Sequence, residues 1–405
     1  MRTADVIIVG GGAAGMFAAA VCAESKPPLD LMVLEKAPGV LAKVRVSGGG
    51  RCNLTHACSD IRDFIRNYPR GGKELTGPFH HFGPADTMKW FEAHGVPLVT
   101  LADGCVFPRS DSSETVIQAL LGTVRRGRVE IRTSTGVSQV NALPDGDPHR
   151  FELVLSDRSL VRCRQLLVAT GGGAFIEGLG HPVVPCVPSL FAFKTPDREL
   201  AALAGIAVDE VVVSAAGGSG EGALLITHGG VSGPAVLRLS SVAARCLAEC
   251  GYRFDARINW CPALREEGVL EALEAYRARS PRRQTGTWSP VGLPLRLWLL
   301  LLGRAGVESG REWGACPLKS LRQLAGMIHA FPLPVAGRDP HREEFVTAGG
   351  IGLKTVDFRT MESRLLPGLY FAGEVLDIDG MTGGYNLQAA WTTGCIAARQ
   401  WIAGD

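Results

Sequence analysis

The sequence lacks any hydrophobic run long enough to cross a bilayer: its longest apolar stretch, Leu297 to Leu302, is far short of the roughly 20 residues a spanning helix needs. It also lacks an excess of either charge. Forty-two Lys and Arg face 40 Asp and Glu, a net charge of +2, so neither a nucleic-acid nor a membrane partner is expected from the balance. The short basic run Arg125, Arg126, Arg128 and Arg132 reads as a solvated loop entering a strand. The 11 cysteines are odd in number and scattered, with no C-x-x-C, which argues against a disulfide framework or a redox-active dithiol. Cys246 and Cys250 stand four apart with no second Cys/His pair, so no metal is predicted. No cleavable leader precedes the first apolar strand, and a cytoplasmic protein is expected. Repeats and low-complexity tracts are missing too.

What is present is a chain of 405 residues, 46% hydrophobic, enough for two or three folding units. It begins "ADVIIVGGGAAGMFAAAVCAE": an apolar strand from Val6 to Val9, a glycine turn, and an alanine-rich helix. Gly10, Gly12 and Gly15 fit G-x-G-x-x-G in that setting. The first permits a tight turn, the second lets a pyrophosphate approach the backbone, and the third lets helix and strand pack closely. Ala13 and Ala14 then lie in the helix turn that faces the phosphates. A second strand, "LDLMVLEK", ends at Glu35 and Lys36, with Glu35 placed about 20 residues past Gly15, where an acid meets ribose hydroxyls. An adenine dinucleotide is therefore predicted.

Two later segments favour FAD over NAD. Residues 129–169 read as an antiparallel meander, with Val137 near its start, closing on an apolar strand that ends Ala169-Thr170-Gly171-Gly172. Near the C-terminus, the strand Leu369 to Ala372 stops at Gly373-Glu374. A glycine loop then carries Gly384, Tyr385 and Asn386, and a helix begins near Leu387. The acid there suits the ribityl chain, and a helix N-terminus suits the negative charge of a reduced flavin ring. The stretch "VSGGGRCNLTH" has no Lys-Ser/Thr after it and so is not a nucleotide P-loop. It reads as a loop laid along the cofactor: Gly49 and Gly50 admit close contact, and Ser47, Arg51 and Asn53 supply donors.

These motifs, with "FGPADT", "VFPRSDSSETV", "THGGVSGPAVLRLSS", "FVTAGGI" and "GLYFAGEVLDIDGMTGGYNLQAAWTTG", resemble the aminoacetone-oxidase-like, or BaiN-like, NAD(P)/FAD-dependent oxidoreductase family across residues 5–402. The resemblance implies an α/β protein: a Rossmann-type, glutathione-reductase-like FAD domain interrupted by an inserted β-rich then helical domain. It also implies bound FAD and adds Lys43 to the cofactor set. The family's Gly-Arg-Lys triplet is Leu41-Ala42-Lys43 here, and whether Arg45 replaces the missing arginine stays open.

The expected division is 1–190 and 341–405 for the FAD domain and 191–340 for the insertion. Within the insertion, "AAGGSGEGALL" reads as a hairpin rather than a second phosphate loop, so any NAD(P)H would act as a transient reductant at the flavin. Catalysis is expected where the flavin meets the insertion. The weak catalytic candidates are His228, Tyr385 and Cys52, each with a structural reading beside it. The function expected is an FAD-dependent oxidoreductase passing hydride to or from a small organic substrate. The alternatives are an NAD(P)H-dependent reductase of enone-type substrates, and a sensing or RNA-modification flavoprotein.

Overall fold

The computed structural model describes residues 2–26, 28–171, 179–339 and 346–402. Gly172 of the "ATGG" strand end lies outside them. The chain divides into two compact units, Met1–Val187 with Val346–Asp405, and Pro188–Phe345.

The first unit is built on a nine-stranded sheet. Its centre is the strand Arg2–Val9, paired in parallel with Leu31–Leu34 on one side and Leu160–Val168 on the other. Leu31–Leu34 pairs onward with Glu130–Arg132, and Leu160–Val168 with Leu369–Phe371, again in parallel. Strands covered on both faces must be apolar throughout rather than alternating. Val6 to Val9 and Leu31 to Leu34 satisfy that, all of them buried. The meander is present as Val137–Ala142, Phe151–Leu155 and Leu160–Val168, antiparallel in turn.

The alanine-rich helix Ala13–Ala23 lies against the last helix, Tyr385–Ile402. A Cβ at Gly394 would stand 2.4 Å from the Ala14 carbonyl oxygen, so only glycine lets the two backbones approach this closely. The architecture is the Rossmann-type α/β fold expected, with one local difference. Residues 42–50, expected as a loop from Val46 onward, form a helix from Ala42 that kinks where Ser47 turns extended and Gly48 and Gly49 adopt left-handed φ of 57° and 71°.

The second unit holds a seven-stranded sheet around the strands Ala207–Ala215, Gly218–Thr227 and Phe254–Asn259, which pair antiparallel. Ala216 and Gly217, both at positive φ (49° and 76°), make the tight turn between the first two. Right-handed strand twist favours such a two-residue turn, which is why the "AAGGSG" glycines are here. The helices Glu266–Arg279, Leu295–Arg304 and Leu318–His329 follow, over a core that includes Trp260, Trp298 and Trp313. No described helix of the chain is long and apolar enough to cross a membrane.

Candidate active site

Parallel strands put their C-terminal ends on one edge, and ligands of open α/β sheets bind there. Four of these ends carry the predicted residues: Gly10 after Val9, Glu35 after Leu34, Ala169 after Val168, and Gly373 after Phe371 and Ala372.

Within the first turn the three fingerprint glycines are required for different reasons. A Cβ at Gly10, whose φ is +112°, would meet the Ala169 carbonyl oxygen at 2.4 Å, and one at Gly15 would meet the Gly10 oxygen at 2.0 Å. Both are excluded by the protein's own backbone. A Cβ at Gly12 would meet nothing within 4 Å, so no intramolecular contact demands glycine there. Gly12 caps the helix whose first residues are Ala13 and Ala14, at the electropositive end of its backbone dipoles. This bare, open backbone is the approach a pyrophosphate needs.

Glu35 is held by two backbone donors: its carboxylate accepts from Gly11 N at 2.7 Å and Ala37 N at 2.8 Å. Thr135 N donates to the Glu35 carbonyl at 2.8 Å, bringing the approach to Val137 alongside, while Lys36 is exposed beside Gly136. On the other side of the turn, Gly373 sits so close to Ala14 that a Cβ would lie 2.8 Å from the alanine methyl. Glu374 follows it, accepting from Lys43 Nζ and from Thr347 N, each at 2.7 Å. Its Oε2 lies 3.7 Å from where a Gly171 side chain would begin. Gly10, Ala14, Lys43, Gly171 and Glu374 are thus one constellation drawn from four distant parts of the chain. Thr170 joins it along the backbone, its hydroxyl donating to the Gly171 carbonyl at 3.2 Å.

In the segment from Ser47 to Asn53 several polar groups have partners within the protein. Ser47 donates its hydroxyl to the Val44 carbonyl at 2.8 Å, so that proton is engaged within the helix. Arg51 folds back, its Nε donating to the Gly48 carbonyl at 3.2 Å and its guanidinium lying 4.4 Å over the Phe107 ring. Arg45 forms an ion pair with Glu114 on the helix Ser113–Arg126, so it does not stand with Lys43 beside Glu374. A helical turn separates the faces of two such residues, where a strand would have aligned them. Gly49 and Gly50 keep left-handed backbones (φ 71° and 87°) with open space where a side chain would be. Asn53 Oδ1 is buried with no partner among the described residues.

The three catalytic candidates lie in different settings. Cys52 is fully buried at φ +63°, and desolvation pushes its thiol up to about 12, partly offset by a hydrogen bond with Ser47. That direction disfavours the thiolate that a nucleophile needs. Tyr385 is buried, its ring stacked on His56 at 5.1 Å and packed against Phe64 and Tyr68. His228 is exposed at the turn after Gly218–Thr227 in the second unit. Asn386 does not point a free amide outward: it accepts from Gly380 N and donates to the Gly380 carbonyl, both at 2.8 Å, closing the glycine loop. Leu387 follows it in the first turn of the last helix, with Gly384 at φ +90° packed against Thr55 just before.

Several residues that hold this arrangement carry weak sequence signals. Asp379, fully buried, forms a two-pronged ion pair with Arg70, which pins the loop ahead of the last helix. Thr55 donates to Gln388 at 2.6 Å, Gln388 to Thr392 at 2.9 Å, and Thr392 to the Phe82 carbonyl at 2.8 Å, a buried chain fully satisfied. Thr393 accepts from Gly373 N at 2.9 Å. The polar run "NLQAAWTTG" inside an otherwise apolar helix is the signal that could have found them.

The family model described as the HI0933-like protein Rossmann domain matches residues 4–400. The chain is 30% identical over 97% of its length to a 3-dehydro-bile acid delta(4,6)-reductase of Clostridium scindens, covering 97% of that protein. It is 31% identical over its whole length to a ribosomal RNA dihydrouridine synthase of Escherichia coli, covering 99% of it. Among solved structures, the 3-ketosteroid delta1-dehydrogenase of Sterolibacterium denitrificans superposes over both whole chains with a TM-score of 0.54 at 12% identity, a likeness of fold. The glycine turn, the acid that ends the second strand and the returning strand ends therefore belong to a recognised lineage: this chain is a member of the HI0933-like Rossmann-domain family and an oxidoreductase of flavoprotein type.

Proposed function

We propose that the protein is an FAD-dependent reductase of carbon–carbon double bonds conjugated to a carbonyl. The observation that carries this is the convergence of Gly12, Gly171 and Glu374 on one open strand edge, with Gly12 bare of any internal reason to be glycine. The choice of reaction is supported by the two relatives' names. One is a reductase of a 3-dehydro bile acid and the other a dihydrouridine synthase. Saturating a double bond conjugated with a ring carbonyl is chemistry both share.

When bound, FAD supplies a two-electron carrier that gives hydride from N5. The chain's residues do the holding. Gly12 and the N-terminus of Ala13–Ala23 receive the pyrophosphate, and Glu35, fixed by Gly11 and Ala37, accepts from ribose hydroxyls. Lys43 and Glu374 flank the ribityl side. The first turn of Tyr385–Ile402 offers the positive end of its dipole to the ring's pyrimidine edge. NAD(P)H serves as a transient reductant without a nucleotide domain of its own.

The test is anaerobic. The holoprotein is reduced with NADPH or NADH, and reoxidation of the flavin is followed on adding a steroid 4,6-dien-3-one or a uridine-containing RNA. Reoxidation by either, with the saturated product recovered, supports the proposal. Reoxidation by air alone, with reduction driven instead by an amine or alcohol substrate, overturns it in favour of an oxidase.

A further inference from the structure

We propose that one stretch within the helical part of the inserted unit, residues 277–322, beginning after the glutamates Glu266, Glu267, Glu271 and Glu274 of the helix Glu266–Arg279, carries a docking surface for RNA, with arginines taking phosphates and Trp288 stacking on a base. The near-neutral charge of the whole chain conceals a strong local bias. Residues 277–322 contain nine Lys and Arg against two Glu, and eight of the nine are Arg. The guanidinium fork suits phosphate oxygens in pairs, where lysine acts as a point charge.

Much of this charge is open. Arg279, Arg282 and Arg283 are exposed, and Arg279 and Arg283 gather at one place: the first lies 5.5 Å over the Tyr276 ring and the second donates to the Tyr276 hydroxyl at 3.5 Å. Backbone bonds from Thr285 N to the Arg311 carbonyl and from Trp313 N to the Arg283 carbonyl, both 2.9 Å, lay residues 283–285 beside 311–313. Arg311 is thereby brought to the same strip. Its acid neighbour Glu308 is 3.7 Å away and largely exposed, which neutralises little. Among the described residues, Arg304 is answered from outside the stretch by Asp197 at 2.7 Å, and Arg296 by the Ala202 carbonyl at 2.8 Å.

Beside this strip stands the aromatic that the charge needs. Trp288 is 56% exposed, whereas Trp260, Trp298 and Trp313 of the same unit are buried, and it has no ring partner among the described residues. Gly286 connects it to the strip, packing against Ser309 and Leu299. Exposed indole next to clustered guanidinium groups is the pairing that binds single-stranded nucleic acid: stacking for any base, phosphate contacts for the backbone. An anionic membrane would share the charge but needs a broader apolar face than Trp288, Leu295 and Leu299 provide. This docking is separate from the reduction proposed above. Docking itself is read without turnover, so either can fail alone.

The experiment is a fluorescence-anisotropy titration of the holoprotein with a labelled uridine-rich single-stranded RNA over a range of salt. Binding should weaken with salt at a log–log slope of about −0.7 per phosphate contacted. The double variant Arg282→Ala/Arg283→Ala should make that slope shallower by about 1.4. Trp288→Ala should weaken binding by roughly 5- to 100-fold at an unchanged slope, with Trp288→Phe restoring most of it. All three side chains are exposed, and retained flavin and circular dichroism report intact folding. Absence of salt-dependent binding, or binding that both variants leave unchanged, overturns the proposal. So does preferential binding of phosphatidylserine vesicles over RNA, or a Trp288-dependent dimer in sedimentation.

Discussion

Two glycine clusters of this protein look alike in sequence and are built for different reasons. Of the four glycines from Gly10 to Gly15, Gly10 and Gly15 are dictated by backbone atoms at 2.0–2.4 Å, Gly11 by the Val40 side chain at 2.5 Å, and Gly12 by nothing inside the protein. In Gly48 to Gly50, all three residues sit at positive φ, and the last two face open space. The first cluster is therefore a turn with one vacancy beside a helix N-terminus. The second is a left-handed bend, whose neighbouring polar groups Ser47 and Arg51 are turned back on their own segment. A glycine run is informative about a ligand only where the protein itself does not already require it.

Substitutions separate these cases. Gly15→Val should have the largest effect, because the side chain would overlap the Gly10 carbonyl; overpacking of about 3 kcal/mol or more is expected, read as loss of soluble folded protein or a sharply lowered Tm. Gly12→Val should fold normally and fail to retain FAD, since its Cβ meets only the space for the phosphates. Equal loss of folding in both variants would erase the distinction drawn between them. Glu374→Ala should weaken FAD binding by roughly 10- to 100-fold, the value of a charge-assisted hydrogen bond, in an equilibrium titration of apoprotein. It also leaves Thr347 N and Lys43 without their acceptor, so a modest fall in Tm accompanies it.

In the second cluster the effects should be smaller. Cys52→Ala should cost about 1 kcal/mol in denaturant unfolding and leave flavin content and turnover unchanged. Because burial raises the folded thiol from 9.0 to about 12, Cys52 contributes stability that is complete below pH 9 and lost as pH rises toward 12. The wild type should therefore lose stability faster than Cys52→Ala across that window, and parallel curves would show that the thiol is not buried. Ser47→Ala should change FAD affinity least, by less than about threefold, as its hydroxyl serves Val44 with a net worth of about 1 kcal/mol or less.

The Rossmann frame was legible because it rests on short-range rules: apolar strands buried on both faces, a glycine turn, an acid at a fixed offset. The hairpin at Ala216-Gly217 and the three helices of the insertion were legible for the same reason. Side-chain direction was not. That Arg45 turns to Glu114 and Arg51 to Phe107 depends on partners distant in sequence and on a kink that no periodicity announces, while the turn of Asn386 to Gly380 depends on how the glycine loop between them closes. The Arg70–Asp379 pair joins residues 309 apart, and a lone arginine after a proline gives no hint of it. Net charge says nothing of local bias, since averaging over 405 residues cancels the excess of basic residues in 277–322.

The central claim is that the open edge around Gly12, Gly171 and Glu374 holds FAD. The most direct test is the flavin content of the gently purified protein, by absorbance spectrum and by mass of the released cofactor, set beside that of folded Gly12→Val. The account predicts equimolar FAD in the wild type and none in the variant. A folded wild-type protein that carries no flavin and takes up none when FAD is added would contradict it.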